Sequence, residues 1–258
     1  MSGEDQAQAE QVVSQCNQLN LHLICPENEA YPERLRPLDD APLVLFVRGD
    51  AGSLNHAPIL AVVGARRASR EGKLLARRWS RYLSERGICI VSGMAYGIDA
   101  AAHGGALEAE SPTIAVLGCG LAAETNQQIQ KQMEAIADQG CVVSEFLPGT
   151  GPRPEHFPRR NRIIAGLAQA TLVVEADTRS GSLITAGQAA AYKPANEAER
   201  KIMALLQGEI LHIDTLAERC GLTVSELSPI LIALELVGVI ESLPGSRYAF
   251  AVEEHKRS

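Results

Sequence analysis

The sequence predicts an α/β fold: an extended Rossmann-like, doubly wound and mostly parallel sheet, followed by a small winged-helix domain. Three observations carry this. Short apolar runs alternate with helical stretches from about residue 40 to 192, the pattern of stacked βαβ units. Each run is nearly all apolar, as strands are when helices cover both faces of a parallel sheet. After residue 196 the alternation gives way to three helical stretches and a hairpin.

The elements follow in chain order. Residues 1–40 are read as a polar lead-in. Apolar runs bounded by Gly or Pro predict strands at 43–47, 59–63, 88–91, 113–117, 141–144 and 171–175. Helices are expected at 71–86, 98–109, 126–139, 160–168 and 182–192, so the sheet domain spans 41–192. Residues 193–196 (KPAN) read as a linker, and 197–252 as the winged helix. In that module Thr223 with Glu226 three residues on forms a capping box, and Gly221 and Gly238 close helices. Pro244, Gly245 and Ser246 turn the hairpin.

Of the 258 residues, 46% are hydrophobic and 21% charged, which is a globular and not a disordered composition. No run approaches the roughly 20 apolar residues of a membrane span. The acidic N-terminus lacks a basic stretch followed by an apolar one, so a cytoplasmic protein with no membrane partner is expected. Six cysteines (16, 25, 89, 119, 141 and 220) form no CxxC or zinc spacing, and Cys89, Cys119 and Cys141 read as small buried hydrophobes. The histidines form no HExxH, and no GK[ST] occurs. No metal or cofactor is expected.

A net charge of −7 argues against nucleic acid until its distribution is read. Residues 1–41 carry −6 and 195–258 carry −4, whereas 64–90 carry +6 through eight Arg and Lys against Glu71 and Glu85. Arg153, Arg159, Arg160 and Arg162 add four more bases around Glu155. A polyanion responds to this local field.

Four loops lie at strand ends and helix starts. Gly64 to Ser69 (GARRAS) offers a tight turn, helix-start amides and the planar fork of Arg66 for phosphate, although it is neither GxGxxG nor a Walker A loop. Ser92 to Asp99 (SGMAYGID) exposes further amides, with Asp99 as a helix cap. His103 reads as a polar residue on a helix flank rather than a base. Arg159, Arg160 and Arg162 open an apolar helix, where the dipole disfavours positive charge unless something negative sits there. Arg179 to Thr185 (RSGSLIT) is the fourth. Together they predict an extended anion-binding surface on one sheet edge.

The segments VVGARRASREG, VSGMAYGIDAAAHGGAL, AVLGCGL, VSEFLPGTGPRPEHFPRRNRIIAGL and VVEADTRSGSLITAGQAA closely resemble the DNA-processing protein A (DprA/Smf) family. The resemblance covers about residues 22–192 and 195–251. It implies a homodimer that binds single-stranded DNA and helps load the RecA recombinase on incoming DNA in natural transformation, without catalysis. Carried over by position, the DNA pocket includes Gly64, Arg66, Ser69, Ser92, Gly93, Asn161, Arg162, Gly181 and Ser182. The neighbouring Arg67, Tyr96, Arg159 and Arg160 complete the candidate DNA-binding set. Many family members have a lysine in an AKGID string where this chain has Tyr96. The loop after AVLGCGL is short, and the strand with a VPG-like turn that normally follows the last sheet helix is missing after Tyr192.

Two other functions are kept open. The same edge suits a Rossmann-type enzyme acting on a nucleotide, for which only Glu145, Asp99 and His103 offer acid or base. A winged helix also suits a transcription regulator. Its third helix, however, contains no Lys, Arg, Asn or Gln and carries Glu226 and Glu235, so this module is not expected to drive DNA binding.

Overall fold

The computed structural model describes residues 3–175, 197–206, 209–236 and 240–250. The chain divides into two compact units, Met1–Ala190 and Ala191–Ser258.

The first unit is built on seven strands: β1 His22–Ile24, β2 Leu45–Gly49, β3 Ile59–Val63, β4 Cys89–Ser92, β5 Thr113–Val116, β6 Cys141–Ser144 and β7 Ala170–Val173. Their order in the sheet is β1-β2-β6-β5-β4-β3-β7. The five strands from β6 to β7 pair in parallel, while β2 pairs antiparallel with both β1 and β6. All five residues of β3 are buried, and so are all four of β4, β5 and β6. These are the strands that helices cover on both sides, which is why their sequences show no polar alternation.

The helices of this unit are α1 Gly3–Gln18, α2 Arg70–Ser84, α3 Ile98–Glu108, α4 Gln127–Gln139 and α5 His156–Leu167. On one face Ala61, Val63, Val91, Ile114, Val116 and Val143 pack under Ile163, Ile164 and Leu167 of α5 and under Tyr31, Leu35 and Leu54. On the other, Ala115 and Val142 meet Met133 and Ile136 of α4 and Cys16 of α1. Each fully buried Leu or Ile contributes about 1.5–3 kcal/mol to this core. Helix α2 lies against α3. A Cβ on Gly105 would run into the carbonyl oxygen of Arg77, so the two backbones approach as closely as only glycine allows.

The chain steps outward from β3 through β4 and β5 to β6, then crosses back to β7 on the far side of β3. The reversal between β3 and β7 is the topological switch point, and the loops at the carboxyl ends of β3, β4 and β5 share that edge.

Residues 1–40 are more than a lead-in, because α1 and β1 belong to this unit. Helix α5 starts at His156, four residues before the predicted 160. Pro158 does not prevent this, because the first turn of a helix has no intrahelical acceptor for its N–H groups. The shift places His156 and Phe157 at the helix start.

The second unit contains α6 Glu197–Leu206, β8 Leu211–His212, α7 Ile213–Cys220, α8 Val224–Leu236, β9 Ile240–Leu243 and β10 Arg247–Phe250, with sheet order β8-β10-β9. Its core is Ile202, Leu206, Leu216, Leu227, Leu231, Leu234 and Ile240. The capping box forms: Glu226 Oε2 accepts from Thr223 N at 2.8 Å, and Glu226 N donates to Thr223 Oγ1 at 3.3 Å. Gly221 closes α7 at φ +74°. The expected helix 182–192, the linker 193–196 and Gly238 lie outside the described residues. Among the described residues no helix is long and apolar enough to cross a membrane.

Candidate nucleic-acid interface

The edge at the carboxyl ends of β3, β4 and β5 gathers the loop 64–69, the loop from Ser92 to Gly97, Gly118 and the start of α5. Its centre is an arginine on an aromatic ring. The Arg66 guanidinium carbon lies 4.6 Å from the Phe157 ring centroid. The ring itself rests against Gly118, where a Cβ would come within 3.1 Å of it. Next to it, His156 stacks on Phe146 at 4.1 Å and holds its Nδ1 3.2 Å from the Gly118 carbonyl. Arg66 and Arg67 make no ion pair among the described residues. A guanidinium over a ring face gives up no N–H group to a carboxylate there and keeps them for anion oxygens.

Arg160 sits behind this surface and is only 4% exposed. Its Nη1 donates to the Gly93 carbonyl at 2.6 Å and to the Val116 carbonyl, tying the ends of β4 and β5 together. Its Nε donates to Asn161 Oδ1 at 3.1 Å. A side chain on Gly93 would collide with this guanidinium, so glycine is needed there for space. Burial lowers the Arg160 pKa to about 10, with the nearby Asp99 carboxylate opposing the shift, so it stays charged at neutral pH. Burial pushes the Asp99 carboxyl up in turn, against Arg160 and the amides that donate to it. Ala95 N reaches Asp99 Oδ2 at 3.3 Å. Ser92 is buried and donates its hydroxyl to the Val62 carbonyl at 2.6 Å.

The other two arginines of α5 converge on one carboxylate. Arg162 Nη2 lies 2.5 Å from Glu145 Oε2, and Arg159 Nη2 lies 3.2 Å from the same oxygen. Arg162 also pairs through Nε with Asp40 at 3.2 Å. The Arg162 side chain is 11% exposed and that of Arg159 62%. With Pro158, both line a largely apolar cavity of about 980 Å³ whose walls include Val12, Val13, Leu43 and Leu147.

The switch point is closed from within. Ala65 N donates to the Glu175 carbonyl at 2.6 Å, and the Glu175 carboxylate accepts from Ser69 N at 3.0 Å and Ser69 Oγ at 2.6 Å. The hydroxyl and amide of Ser69 hold the Glu175 carboxyl below its ordinary range. The start of α2 thus already carries a carboxylate where the sequence suggested room for a phosphate.

Of the sequence-predicted residues, Arg66 and Arg160 lie over Phe157, Gly93 and Asn161 touch Arg160, and Gly64 packs against Ile98 and the Glu175 carbonyl. Ser92 faces inward beneath them. Tyr96 stands exposed at the rim, its hydroxyl accepting from Asn126 Nδ2 at 2.6 Å. Arg67 points to solvent, Ser69 is engaged by Glu175, and Arg159 and Arg162 turn to Glu145. Gly181 and Ser182 lie outside the described residues. His103 is not on a helix flank but fully buried, its Nδ1 2.8 Å from Thr113 Oγ1. Burial first, and then Arg160, lower its pKa to about 3, so it is neutral. Sequence reasoning missed Glu145 and Glu175 as internal partners. Their signal was their position, Glu145 directly after an apolar run and Glu175 at the end of one.

The family model described as DNA recombination-mediator protein A matches residues 22–214, and that of the DprA winged helix domain matches 186–246. Protein Smf of Escherichia coli (strain K12) is 45% identical over 170 residues, covering 66% of this chain and 45% of its own length. The DNA processing protein DprA of Streptococcus pneumoniae is 40% identical over 199 residues, 77% of this chain and 67% of that protein. Among solved structures, Streptococcus pneumoniae DprA aligns with a TM-score of 0.62 at 41% identity, over 66% of this chain and 59% of that one. Helicobacter pylori DNA processing protein A, solved for its single-stranded DNA binding mode, aligns with a TM-score of 0.59 at 30% identity, over 65% and 76%. The chain spans about half the length of the first curated relatives it matches, 45% and 48%.

Proposed function

We propose that this chain, which belongs to the DNA recombination-mediator protein A family, binds single-stranded DNA at the edge formed by the ends of β3, β4 and β5, as a non-catalytic mediator of recombination. The observation that carries the reading is Arg66 lying on Phe157 with no carboxylate partner among the described residues, beside the exposed Arg67. Arg66 holds a phosphate through its in-plane N–H groups. Phe157 and the exposed Tyr96 offer ring surface to unpaired bases, which every base accepts and which therefore reads little sequence. Arg160 and Asp99 touch no DNA in this scheme. They lock the loops that do. Arg159, the more exposed of the two arginines on Glu145, supplies a peripheral positive charge.

A mediator without catalysis is supported by what the titratable groups do. Asp99 is held by amides and Arg160, Glu145 by two arginines, and His103 is buried and neutral. Passing the strand to a RecA recombinase, in natural transformation and as a homodimer, completes the reading and rests on family membership. The Gly181 and Ser182 loop belongs to the same proposed set by position.

The test is fluorescence anisotropy with labelled oligothymidylate against duplex of equal length. Single strands are expected to bind more tightly, with a log–log salt slope of about −0.7 per phosphate neutralised. Arg66→Ala is expected to weaken binding by about 1–3 kcal/mol with the fold unchanged by circular dichroism. Tight binding of mononucleotides with no preference for oligonucleotides would replace this reading with a nucleotide-directed enzyme.

A further inference from the structure

The outer face of α2 is the second place where positive charge gathers, and the pocket around Arg66 does not use it. The buried stripe of α2 is Gly72, Ala76, Ser80 and Leu83. Beside it runs another stripe at helical spacing, Leu75, Trp79 and Tyr82, continued by Arg86 just past the helix end and covered by no other element among the described residues. Trp79 is 43% exposed and Tyr82 46%. The two rings meet edge to face with centroids 6.0 Å apart, and the Arg86 guanidinium carbon lies 3.5 Å from the Tyr82 centroid. Leu75, Arg78, Trp79, Arg81, Tyr82 and Glu85 line one open groove. Arg77 and Arg81 are paired with Glu108 and Glu85 on the surface, whereas Arg70 and Arg78 have no ion-pair partner among the described residues. Trp79 is the only tryptophan of the chain.

We propose that this face of α2, centred on Trp79, Tyr82, Arg78 and Arg86, is a second contact surface for single-stranded DNA, on which bases stack while the arginines hold phosphates. Charge complementarity selects that occupant. From Arg70 to Arg86 six basic residues stand against Glu71 and Glu85, so two copies of this face would repel each other, whereas a polyanion is drawn to it. Exposed rings interleaved with arginines match the two needs of an unpaired strand, ring surface for bases and cations for the backbone. The placement also fits. Helix α2 begins beside the Arg66 loop, and Trp79 lies nine residues beyond Arg70, about 14 Å along the axis at 1.5 Å per residue. A strand leaving the first site along α2 reaches the platform within a few nucleotides.

The experiment uses the intact chain and its single tryptophan. Oligothymidylates of increasing length are titrated while tryptophan emission and anisotropy of a labelled strand are followed together. Emission is expected to be quenched as binding saturates, for strands long enough to span both sites. Trp79→Ala is expected to weaken long-strand binding by about fivefold or more, the low end for one stacked base. The exposed pair Arg78→Glu with Arg86→Glu is expected to weaken it too and to flatten the salt dependence, which keeps the proposal testable if Trp79→Ala misfolds. Binding seen by anisotropy with emission and variant affinities unchanged would overturn the platform. So would an emission change that follows protein concentration without DNA, which would assign the face to a protein contact. If Arg66→Ala binds normally while the α2 variants bind weakly, the platform stands and the Arg66 site falls. If Arg66→Ala alone weakens binding, the Arg66 site stands and the platform falls.

Discussion

Two helices of the same unit each carry a cluster of arginines and use them in opposite ways. On α5, Arg160 is sunk against the Gly93 and Val116 carbonyls near Asp99, and Arg162 is locked on Glu145 and Asp40. On α2, Arg77 and Arg81 make only surface pairs and Arg78 stands in solvent, while Arg86, just past the helix end, lies on Tyr82. Both clusters look alike as strings of basic residues. The first is spent on architecture, because buried cations must be matched by internal acceptors. The second makes only surface contacts among the described residues, and exposed pairs contribute little to stability and leave the field outside positive. Where a cluster sits decides whether its charge is available to a ligand.

The sharpest way to break this comparison is Arg160→Ala. Removing the guanidinium strands two carbonyls and the Asp99 carboxyl, and urea unfolding is expected to show a loss of about 3–5 kcal/mol. A loss below about 1 kcal/mol would mean that α5 does not depend on its buried arginine. The same buried set predicts an acid sensitivity. The His103 pKa falls from 6.5 to about 3 in the folded chain. Below pH 6.5 the unfolded state takes up a proton that the folded state cannot hold. Stability is therefore expected to fall as pH drops from about 6.5 toward 3, by roughly 1.4 kcal/mol per pH unit for this one group. Replacing His103→Gln is expected to flatten that part of the profile, read by urea midpoints at several pH values. The smallest effect belongs to α2. Arg78→Ala is expected to leave stability within about 0.5 kcal/mol of the unsubstituted chain, whatever it does to DNA binding. A larger loss would place Arg78 among the structural arginines and erase the contrast.

Several features of this protein were legible in residues alone. The strands β3 to β7 and helices α2 to α4 follow from apolar runs and helical periodicity, both of which act over a few neighbours. The Thr223 and Glu226 box is local in the same sense. Where the signal was short or weak the reading missed: β1 has three residues and β8 two, and α1 has a polar sequence with a narrow apolar side. The gathering of loops at one edge also followed from the βαβ alternation, since crossovers of one hand bring successive strand ends to the same side.

The partner of each charge was decided only by the tertiary structure. Three arginines at a helix start demanded a counter-charge, and that demand was read correctly as a demand. Its answer was internal: Glu145 lies 14 residues from Arg159 and 17 from Arg162, and Glu175 reaches Ser69 across 106 residues. Such pairs depend on strand order and register, which bring the residue after β6 within reach of α5 and set β7 beside β3. Composition and spacing report how much charge a segment carries. Whether that charge is neutralised by the fold or left for DNA depends on contacts between segments far apart in the chain, and only folding brings those together.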